Sequence, residues 1–446
     1  MLSLFYLLIT LAILIVVHEY GHFWVARRCG VKVLKFSVGF GKPLWSRIGK
    51  DGTEYSVSAI PLGGYVKMLD EREGNVSKDE LNQAFNRKSL GRRSAIVAAG
   101  PIANLLFAVL AYWAIYMIGI PGQKPIIAEV QTDSAGYQAQ LMAGDEIKAV
   151  NGQATPIWSS VRRELSGIAI DGGEVELLVS LDGVNRNLIL NISKYDFEDP
   201  KQSLLKSLGI SPYFINMKPV IESVTEEGAA KLAGLQAGDE VLSIDDKAIT
   251  SWMDVVTIVQ SNPNEALSFI VERNQQKQLL LITPSVSSDN QGKIGAMVDA
   301  SKTAIDEQYL ATERYGIIGG LKKAIYQTWS FSAATLKSIV GMILGNVSSK
   351  NIGGPVTIAQ YAGSSAQNGL ISFVGFLAMI SISLGLLNLM PIPVLDGGHL
   401  SLYLIEWLRG KPLSENVQLQ LQKIGIVSLV LLMFLAFFND LTRLFG

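Results

Sequence analysis

The sequence predicts a polytopic α-helical membrane protein with four transmembrane helices, a membrane-associated β-hairpin segment and two inserted α+β domains. Its 446 residues are 49% hydrophobic and only 17% charged, with a mean hydropathy of +0.30, whereas soluble domains carry about 25% charged residues. Four apolar stretches are long enough to cross a bilayer, and a motif repeats in the segment between the second and third of them. The net charge of −1 gives no reason to expect nucleic-acid binding.

Each apolar stretch reaches the roughly 20 residues that a helix needs to cross about 30 Å of hydrocarbon. The first has no basic segment before it, and Arg27 and Arg28 follow it in place of a small-residue cleavage site. We therefore expect an uncleaved membrane helix rather than a signal peptide. The stretches cover about residues 2–26, 95–120, 370–389 and 424–441.

Basic residues are dense between Arg27 and Arg93, and short loops rich in Lys and Arg stay in the cytoplasm. In a bacterium this pattern predicts a multi-pass protein of the inner membrane. Both termini and the segment from 121 to 368 would then lie in the periplasm.

Residues 31–69 are rich in β-branched and aromatic residues and in glycines, which predicts strands and hairpin turns. An open sheet edge cannot face lipid, because its backbone groups would lack partners. The sheet is therefore expected either at the cytoplasmic boundary or in a water-filled cavity built by the helices. We assign it, with the first two membrane helices, to a unit covering residues 1–120.

An internal repeat lies between the second and third apolar stretches. Residues 141–152 (LMAGDEIKAVNG) align with 235–246 (LQAGDEVLSIDD), and 124–130 align with 218–224. The pattern resembles PDZ domains of periplasmic proteases, and it predicts two periplasmic PDZ-like α+β domains over 121–210 and 211–305. Gly119 and Gly209 precede the repeats and are candidates either for loops that receive a peptide carboxylate or for plain turns.

Two units follow the repeats. Residues 306–368 contain the moderately apolar stretch 317–344, whose lysines and Trp329 predict an amphipathic helix on the periplasmic membrane surface. Residues 369–446 contain the third and fourth membrane helices.

His18, Glu19 and His22 form an HExxH motif near one end of the first apolar stretch. On a helix the two imidazoles lie on one face and can reach one metal ion, while Glu19 can accept a proton from water. The alternative is a hydrogen-bonded pair of core histidines. Ionisable groups inside a membrane are costly and usually functional, so the motif favours a metal site.

A catalytic zinc site needs a third protein ligand and an open position. Both Asp396 and His399 lie in a Pro- and Gly-rich segment that ends the third apolar stretch, on the same side of the membrane as the motif. Chemistry alone leaves these two candidates open.

The HExxH motif in a first membrane helix and NxxPxPxLDGG after a later one resemble the site-2 protease family of intramembrane zinc metalloproteases. The repeats narrow the resemblance to members with tandem PDZ domains. It implies one Zn²⁺ per chain, with His18, His22 and Asp396 as ligands and Glu19 as the general base.

The resemblance also implies a substrate-binding role for Asn388, which could instead cap or bridge helices. The hairpin segment offers a strand edge for an unwound substrate. The partners implied are the lipid bilayer and membrane-spanning substrates, namely an anti-sigma factor after a first periplasmic cut and signal-peptide remnants, in the envelope stress response. The substrate-binding residues expected at the hairpin are Gly39, Phe40, Gly41, Gly64, Tyr65, Val66 and Lys67.

Two other classes of protein fit parts of the sequence. A membrane-anchored PDZ scaffold with a structural metal would not need Glu19 beside an open coordination position. A transporter would explain polar residues at membrane depth, but four spans without an inverted repeat give it little support.

Overall fold

The structure is a computed structural model of the chain. It describes residues 2–193, 195, 203–213, 217–226, 228–286, 291–299, 307–345, 347–348, 350 and 352–445.

Along the sequence, long helices near both ends of the chain flank a β-rich middle segment. The helices are α1 (Leu2–Arg28), α2 (Leu90–Ile118), α3 (Ala135–Gln138), α4 (Trp158–Ala169), α5 (Leu204–Ser207), α6 (Ala229–Leu232), α7 (Trp252–Ser261), α8 (Ile317–Ile343), α9 (Pro355–Gln367), α10 (Leu370–Leu389), α11 (Asp396–Arg409) and α12 (Glu415–Phe445).

The strands follow the same division, with two long strands near the N-terminus and short ones in the middle. They are β1 (Val33–Ile48), β2 (Glu54–Met68), β3 (Ile120–Gln123), β4 (Ile127–Val130), β5 (Glu146–Val150), β6 (Gln153–Ala154), β7 (Gly173–Leu181), β8 (Val184–Ile192), β9 (Ile210–Pro212), β10 (Ile221–Val224), β11 (Glu240–Ile244), β12 (Lys247–Ala248), β13 (Leu267–Arg273), β14 (Gln276–Ile282), β15 (Ser285–Val286), β16 (Gly292–Lys293), β17 (Ala296–Val298) and β18 (Leu310–Glu313).

Four helices in the described part of the chain are long and apolar enough to cross a membrane: α1, α2, α10 and α12. The four predicted stretches are thereby confirmed as helices. α2 packs against α1, α8, α10 and α11, whereas α12 packs on α9. Small side chains such as Ala108 and Ala378, both fully buried in the α2–α10 contact, allow membrane helices to approach closely.

β1 and β2 form a sheet in which both strands bend and pair more than once. Residues 33–38 pair with both 64–68 and 54–57, and residues 43–48 pair with 54–58. The outer edges of the sheet are therefore 64–68 and 43–48. The predicted strand-rich segment is a sheet, and its buried end packs on α1 and α2 through Phe23, Phe36 and Ile96.

The chain between α2 and α8 forms two β-rich units with the same strand order. Their sheets run β6-β5-β7-β8 and β12-β11-β13-β14. In the first unit Leu165 of α4 packs on Leu177, and in the second Val255 of α7 packs in the same core as Phe269. Burying each such side chain contributes about 1.5–3 kcal/mol.

Gly209 and Gly295 occupy equivalent places in these two units. The backbone N–H of Gln131 donates to the carbonyl of Gly209, and that of Thr225 donates to the carbonyl of Gly295, both at 2.8 Å. Gly119 instead ends α2. In hydrogen bonding, Gly209 therefore corresponds to Gly295 and not to Gly119.

The first unit closes with the strand that follows Gly209. β9 pairs with β4, and Leu208 and Ile210 are buried in the core of that unit. The predicted boundary between residues 210 and 211 therefore falls inside β9 and not between two units.

α8 is the predicted amphipathic helix, and it packs along α2 and α10. Ile318, Ile325 and Trp329 are exposed on it, whereas Lys323 is buried. After it, α9 is fastened to α12, because the carboxylate of Asp440 accepts hydrogen bonds from the backbone N–H groups of Gly354 and Val356 at 2.9 and 2.8 Å. A carboxylate at a helix N-terminus satisfies donors that have no partner within the helix.

Candidate metal centre

His18 and His22 lie one turn apart on α1, and their imidazole rings converge. The two Nε2 atoms are 3.3 Å apart, and about nine-tenths of each side chain is shielded from solvent. The i, i+4 spacing of the motif produces this arrangement, because side chains one turn apart share a helix face.

Asp396 approaches the same point from the other end of the chain, at the start of α11. Its Oδ2 atom lies 3.2 Å from Nε2 of His18 and 3.4 Å from Nε2 of His22. In the described part of the chain this buried oxygen has no hydrogen-bond partner of acceptable geometry. Three atoms that can each offer a lone pair therefore meet at one point, which is what a metal ion requires.

The chemistry of these donors fits zinc. Two imidazole nitrogens and one carboxylate oxygen are ligands that Zn²⁺ accepts, and three protein ligands leave a fourth position open, as catalytic sites do. Within the described chain, His18, His22 and Asp396 form the group able to hold a metal ion. His399 lies one turn further along α11 and does not belong to it.

α2 supplies the wall behind the histidines. A Cβ atom at Gly100 would collide with Nε2 of His22 and would lie 2.9 Å from Cε1 of His18. A glycine is therefore required where the two rings lie against this helix. On either side of it, the carbonyl of Ile96 is 2.8 Å from Nδ1 of His22, and the amide of Asn104 is 3.2 Å from Nδ1 of His18.

Glu19 is half-buried beside the histidines, and the edge strand 64–68 passes close to it. A Cβ atom at Gly64 would lie 3.0 Å from Cγ of Glu19. Val66 and Lys67 continue this edge, paired with Phe36 and Lys35 on their inner side.

Phe40 lies in the bend of β1 and stacks on Tyr65 of the edge strand 64–68. Their rings stack with centroids 6.1 Å apart. Gly39 and Gly41 flank Phe40 with φ values of 92° and 85°, which other residues rarely adopt. The predicted hairpin residues therefore lie along one end of the sheet, and Gly64 among them lies beside Glu19.

Asn388 is half-buried near the end of α10, and the loop to Asp396 begins just after it. In that loop Val394 has φ of 103°, a strained conformation for a β-branched residue. Such strain persists where the surrounding structure enforces it, and it occurs at functional sites.

Sequence reasoning missed Ile96, Asn104 and Val394. The sequence could have pointed to Asn104, because it lies one helical turn past Gly100 in the segment GPIAN. No sequence pattern indicates the strained backbone at Val394.

The fold and this site are those of a zinc metalloprotease. The profile of peptidase family M50 matches residues 6–432, and the chain belongs to that family. Relatives include the regulator of sigma-E protease RseP of Salmonella typhimurium, 45% identical over 439 residues, and that of Escherichia coli, 42% identical over 439 residues. A Vibrio cholerae relative named as a zinc metalloprotease is 45% identical over 441 residues.

These alignments cover 98% of this chain and 98% of each of the three relatives. The resemblance drawn from the motifs is therefore confirmed. A PDZ domain of an SdrC-like protein from Listeria monocytogenes is also similar, at 16% identity over 20% of this chain and 95% of that chain. Its TM-score of 0.18 is too low to support an argument.

Proposed function

We propose that this chain is an intramembrane zinc endopeptidase that cleaves transmembrane segments of single-span proteins. The observation that carries the proposal is that His18 and His22, next to Glu19 on a helix able to span a membrane, converge with Asp396 of α11. One Zn²⁺ per chain would be held by these three side chains. When bound, zinc supplies a Lewis acid and lowers the pKa of water towards 7.

Glu19 performs the proton transfers in this proposal. Its carboxylate accepts a proton from the attacking water and returns it to the leaving amine. Its place beside the edge strand 64–68 supports this role, because a substrate on that strand would have its backbone next to the carboxylate.

A transmembrane substrate must unwind before it is cut, since the carbonyls of a helix are hydrogen-bonded and shielded. The edge 64–68 would supply replacement hydrogen bonds if the substrate added to it as a strand. Phe40 and Tyr65 would contact the side chains of that strand, and the amide of Asn388 would bind its backbone.

We further propose that the protein lies in a bacterial inner membrane with the site towards the cytoplasm. The basic residues between α1 and α2 support this orientation, and it places both termini and the inserted units in the periplasm.

The names of the relatives support a membrane-spanning anti-sigma factor as substrate in the envelope stress response, and we extend the proposal to signal-peptide remnants.

The two inserted units are proposed to be PDZ-like domains that select substrates. Their equivalent loops at Gly209 and Gly295 are the candidates for receiving a peptide carboxylate. Because they lie on the other side of the membrane from the proposed site, they can exclude substrates with bulky periplasmic domains but cannot take part in bond cleavage.

Deleting residues 123–305 should then allow untrimmed substrates to be cut. Rejection of untrimmed substrates by that variant would contradict exclusion by size.

The central experiment is to purify the full chain in detergent, count bound zinc and measure cleavage of a single-span substrate. We expect one zinc per chain and cleavage that a chelator abolishes and added zinc restores. The Glu19→Gln variant is the matched control, because it retains the ligands. Cleavage that persists without zinc would refute the proposal, and zinc binding without cleavage of any single-span substrate would favour a scaffold with a structural metal.

A further inference from the structure

Each candidate imidazole ligand presents its second nitrogen to α2. Nδ1 of His22 is 2.8 Å from the carbonyl oxygen of Ile96. A carbonyl only accepts hydrogen bonds, so Nδ1 of His22 carries the proton and Nε2 keeps its lone pair. His22 is therefore fixed in the form that can bind a metal through Nε2.

Asn104 occupies the corresponding place for His18. Nδ2 of its amide lies 3.2 Å from Nδ1, and the residue is completely buried. An amide has an acceptor on one side and a donor on the other, and the two are nearly the same size. The hydrogen bond to His18 therefore depends on which of them faces the ring.

Only one of these orientations allows His18 to bind a metal through Nε2. If the amide N–H donates to Nδ1, then neutral His18 carries its proton on Nε2, where the metal would bind. If Oδ1 accepts from Nδ1–H, the lone pair of Nε2 points towards Asp396, which is 3.2 Å away. As the side chain is placed, Nδ2 faces the ring and the amide oxygen has no partner in the described part of the chain. Turning the amide over pairs the oxygen with Nδ1–H and leaves Nδ2 in the unpaired position. The number of hydrogen bonds therefore does not choose between the orientations, whereas the need for a free lone pair at Nε2 does.

The surroundings of Asn104 keep its side chain at this place. The hydroxyl of Ser381 on α10 donates to the backbone carbonyl of Asn104 at 2.8 Å. A Cβ atom at Gly385 would lie 3.3 Å from Cβ of Asn104, so α10 passes directly against the residue.

We propose that Asn104 is a positioning residue whose amide oxygen accepts the Nδ1–H of His18 and thereby keeps Nε2 free for zinc. This inference rests on the proposed zinc site. The amide oxygen of Asn104 would hold the proton of His18 on Nδ1, as the carbonyl oxygen of Ile96 does for His22. Partners of this kind fix the orientation and tautomer of a ligating histidine, and losing one lowers metal affinity about 10–100-fold.

The test compares two variants of nearly the same shape. Asn104→Asp keeps an acceptor facing Nδ1, whereas Asn104→Leu removes it. Zinc affinity is measured on the full chain in detergent by competition with a chelator. We expect Asn104→Leu to lose about 10–100-fold in affinity and Asn104→Asp to remain near the wild type. Unchanged affinity in Asn104→Leu, or equal losses in both variants, would overturn the proposal.

A second readout needs neither zinc nor activity. The chain has 3 histidines, so nitrogen NMR of zinc-free protein labelled at histidine can resolve the ring of His18. Protonation at Nδ1 is expected in the wild type and in Asn104→Asp, and a mixture of tautomers in Asn104→Leu. A wild-type ring protonated at Nε2 would contradict the assignment. Should Asn104→Leu fail to fold, the smaller Asn104→Ala takes its place in both measurements.

Two further variants separate the possible failures. Ser383→Ala removes a hydroxyl that donates to Met379 within α10 and leaves Asn104 untouched, so zinc affinity should hardly change. His22→Ala should lose zinc. If it does not, the proposed zinc site itself is wrong. If His22→Ala loses zinc while Asn104→Leu does not, only the role of Asn104 fails.

Discussion

Arg163 on α4 and Glu313 on β18 form an ion pair in which one guanidinium nitrogen contacts both carboxylate oxygens, at 2.8 and 2.9 Å. The Glu313 side chain is completely buried. The next residue along α4, Glu164, accepts a hydrogen bond from Lys323 of α8 at 3.0 Å, and both side chains are buried. Two adjacent residues of the first inserted unit thus form ion pairs with β18 and with α8.

Tyr326 completes this contact by donating to Glu164 at 2.9 Å. Burial raises the pKa of its hydroxyl to about 12, and the hydrogen bond to Glu164 acts in the same direction. The phenol therefore remains a donor at any physiological pH. The contact between the first unit and α8 therefore includes a phenol donor that stays protonated near neutrality.

Breaking the Arg163–Glu313 pair should loosen the first unit. Glu313→Gln leaves the guanidinium of Arg163, whose side chain is 24% exposed, without its counter-charge. The cost should therefore lie below the about 3–5 kcal/mol of removing one partner of a fully buried pair. We expect faster hydrogen exchange in α4 and a lower temperature of unfolding. The exchanged pair Arg163→Glu with Glu313→Arg should recover part of the loss.

The control for that experiment is the exposed pair of Lys148 and Glu146. Removing it should change stability by at most about 1 kcal/mol. Equal effects of the two pairs would show that the buried one does not hold the unit in place.

Glu19→Gln should retain zinc and lose at least about a hundredfold in cleavage, because general-base catalysis contributes about 10²–10⁴-fold. The amide keeps the shape of the side chain and removes the base. Zinc content and cleavage of a single-span substrate are measured on the same preparation. Near-normal turnover would refute the role assigned to Glu19.

Removing a proposed ligand should lower zinc occupancy as well as activity. We expect this loss for His22→Ala and for Asp396→Asn, since an amide is a weaker ligand than a carboxylate. His399→Ala is the matched control and should keep its zinc, because His399 is outside the ligand group. Loss of zinc from His399→Ala and not from Asp396→Asn would reverse the choice between these residues.

Prolines placed singly at positions 64–68 should reduce cleavage at alternate positions. Only every second backbone N–H on an edge strand points outward, and proline removes that donor. Zinc content should not change. The opposite edge, 43–48, already contains Pro43, and prolines added there serve as the control. No effect at any position from 64 to 68 would exclude strand addition at this edge.

The orientation predicts that Cys29, the single cysteine, lies on the cytoplasmic side. An impermeant thiol reagent should leave it unlabelled in intact cells. A cysteine introduced at Val184, which is 65% exposed on β8, should be labelled in the same cells once Cys29 is replaced by serine. Labelling of Cys29 before permeabilisation would contradict the proposed topology.

The sequence predicted the membrane helices and the histidine pair because both leave local patterns. Twenty apolar residues identify a span, and the spacing of His18 and His22 identifies one face of a helix. Asp396 needed the family resemblance, since chemistry alone did not separate it from His399. The structure places its carboxylate against both imidazoles.

Other features could not be read from the sequence because they depend on contacts between distant segments. The course of β1, whose residues 33–38 pair with two separate parts of β2, leaves no mark in hydrophobic periodicity. The same holds for Asn104, whose importance comes from a neighbour on another helix. Gly119 was paired with Gly209 by position alone, whereas hydrogen bonding relates Gly209 to Gly295.

The candidate ligands come from opposite ends of the chain, His18 and His22 from α1 and Asp396 from α11. A ribosome makes the two histidines first and the aspartate only after both inserted units have been synthesised. A growing chain, or one cut short before α11, therefore has two imidazoles but no complete site. The order of translation thus leaves the proposed site incomplete until both inserted units have been synthesised.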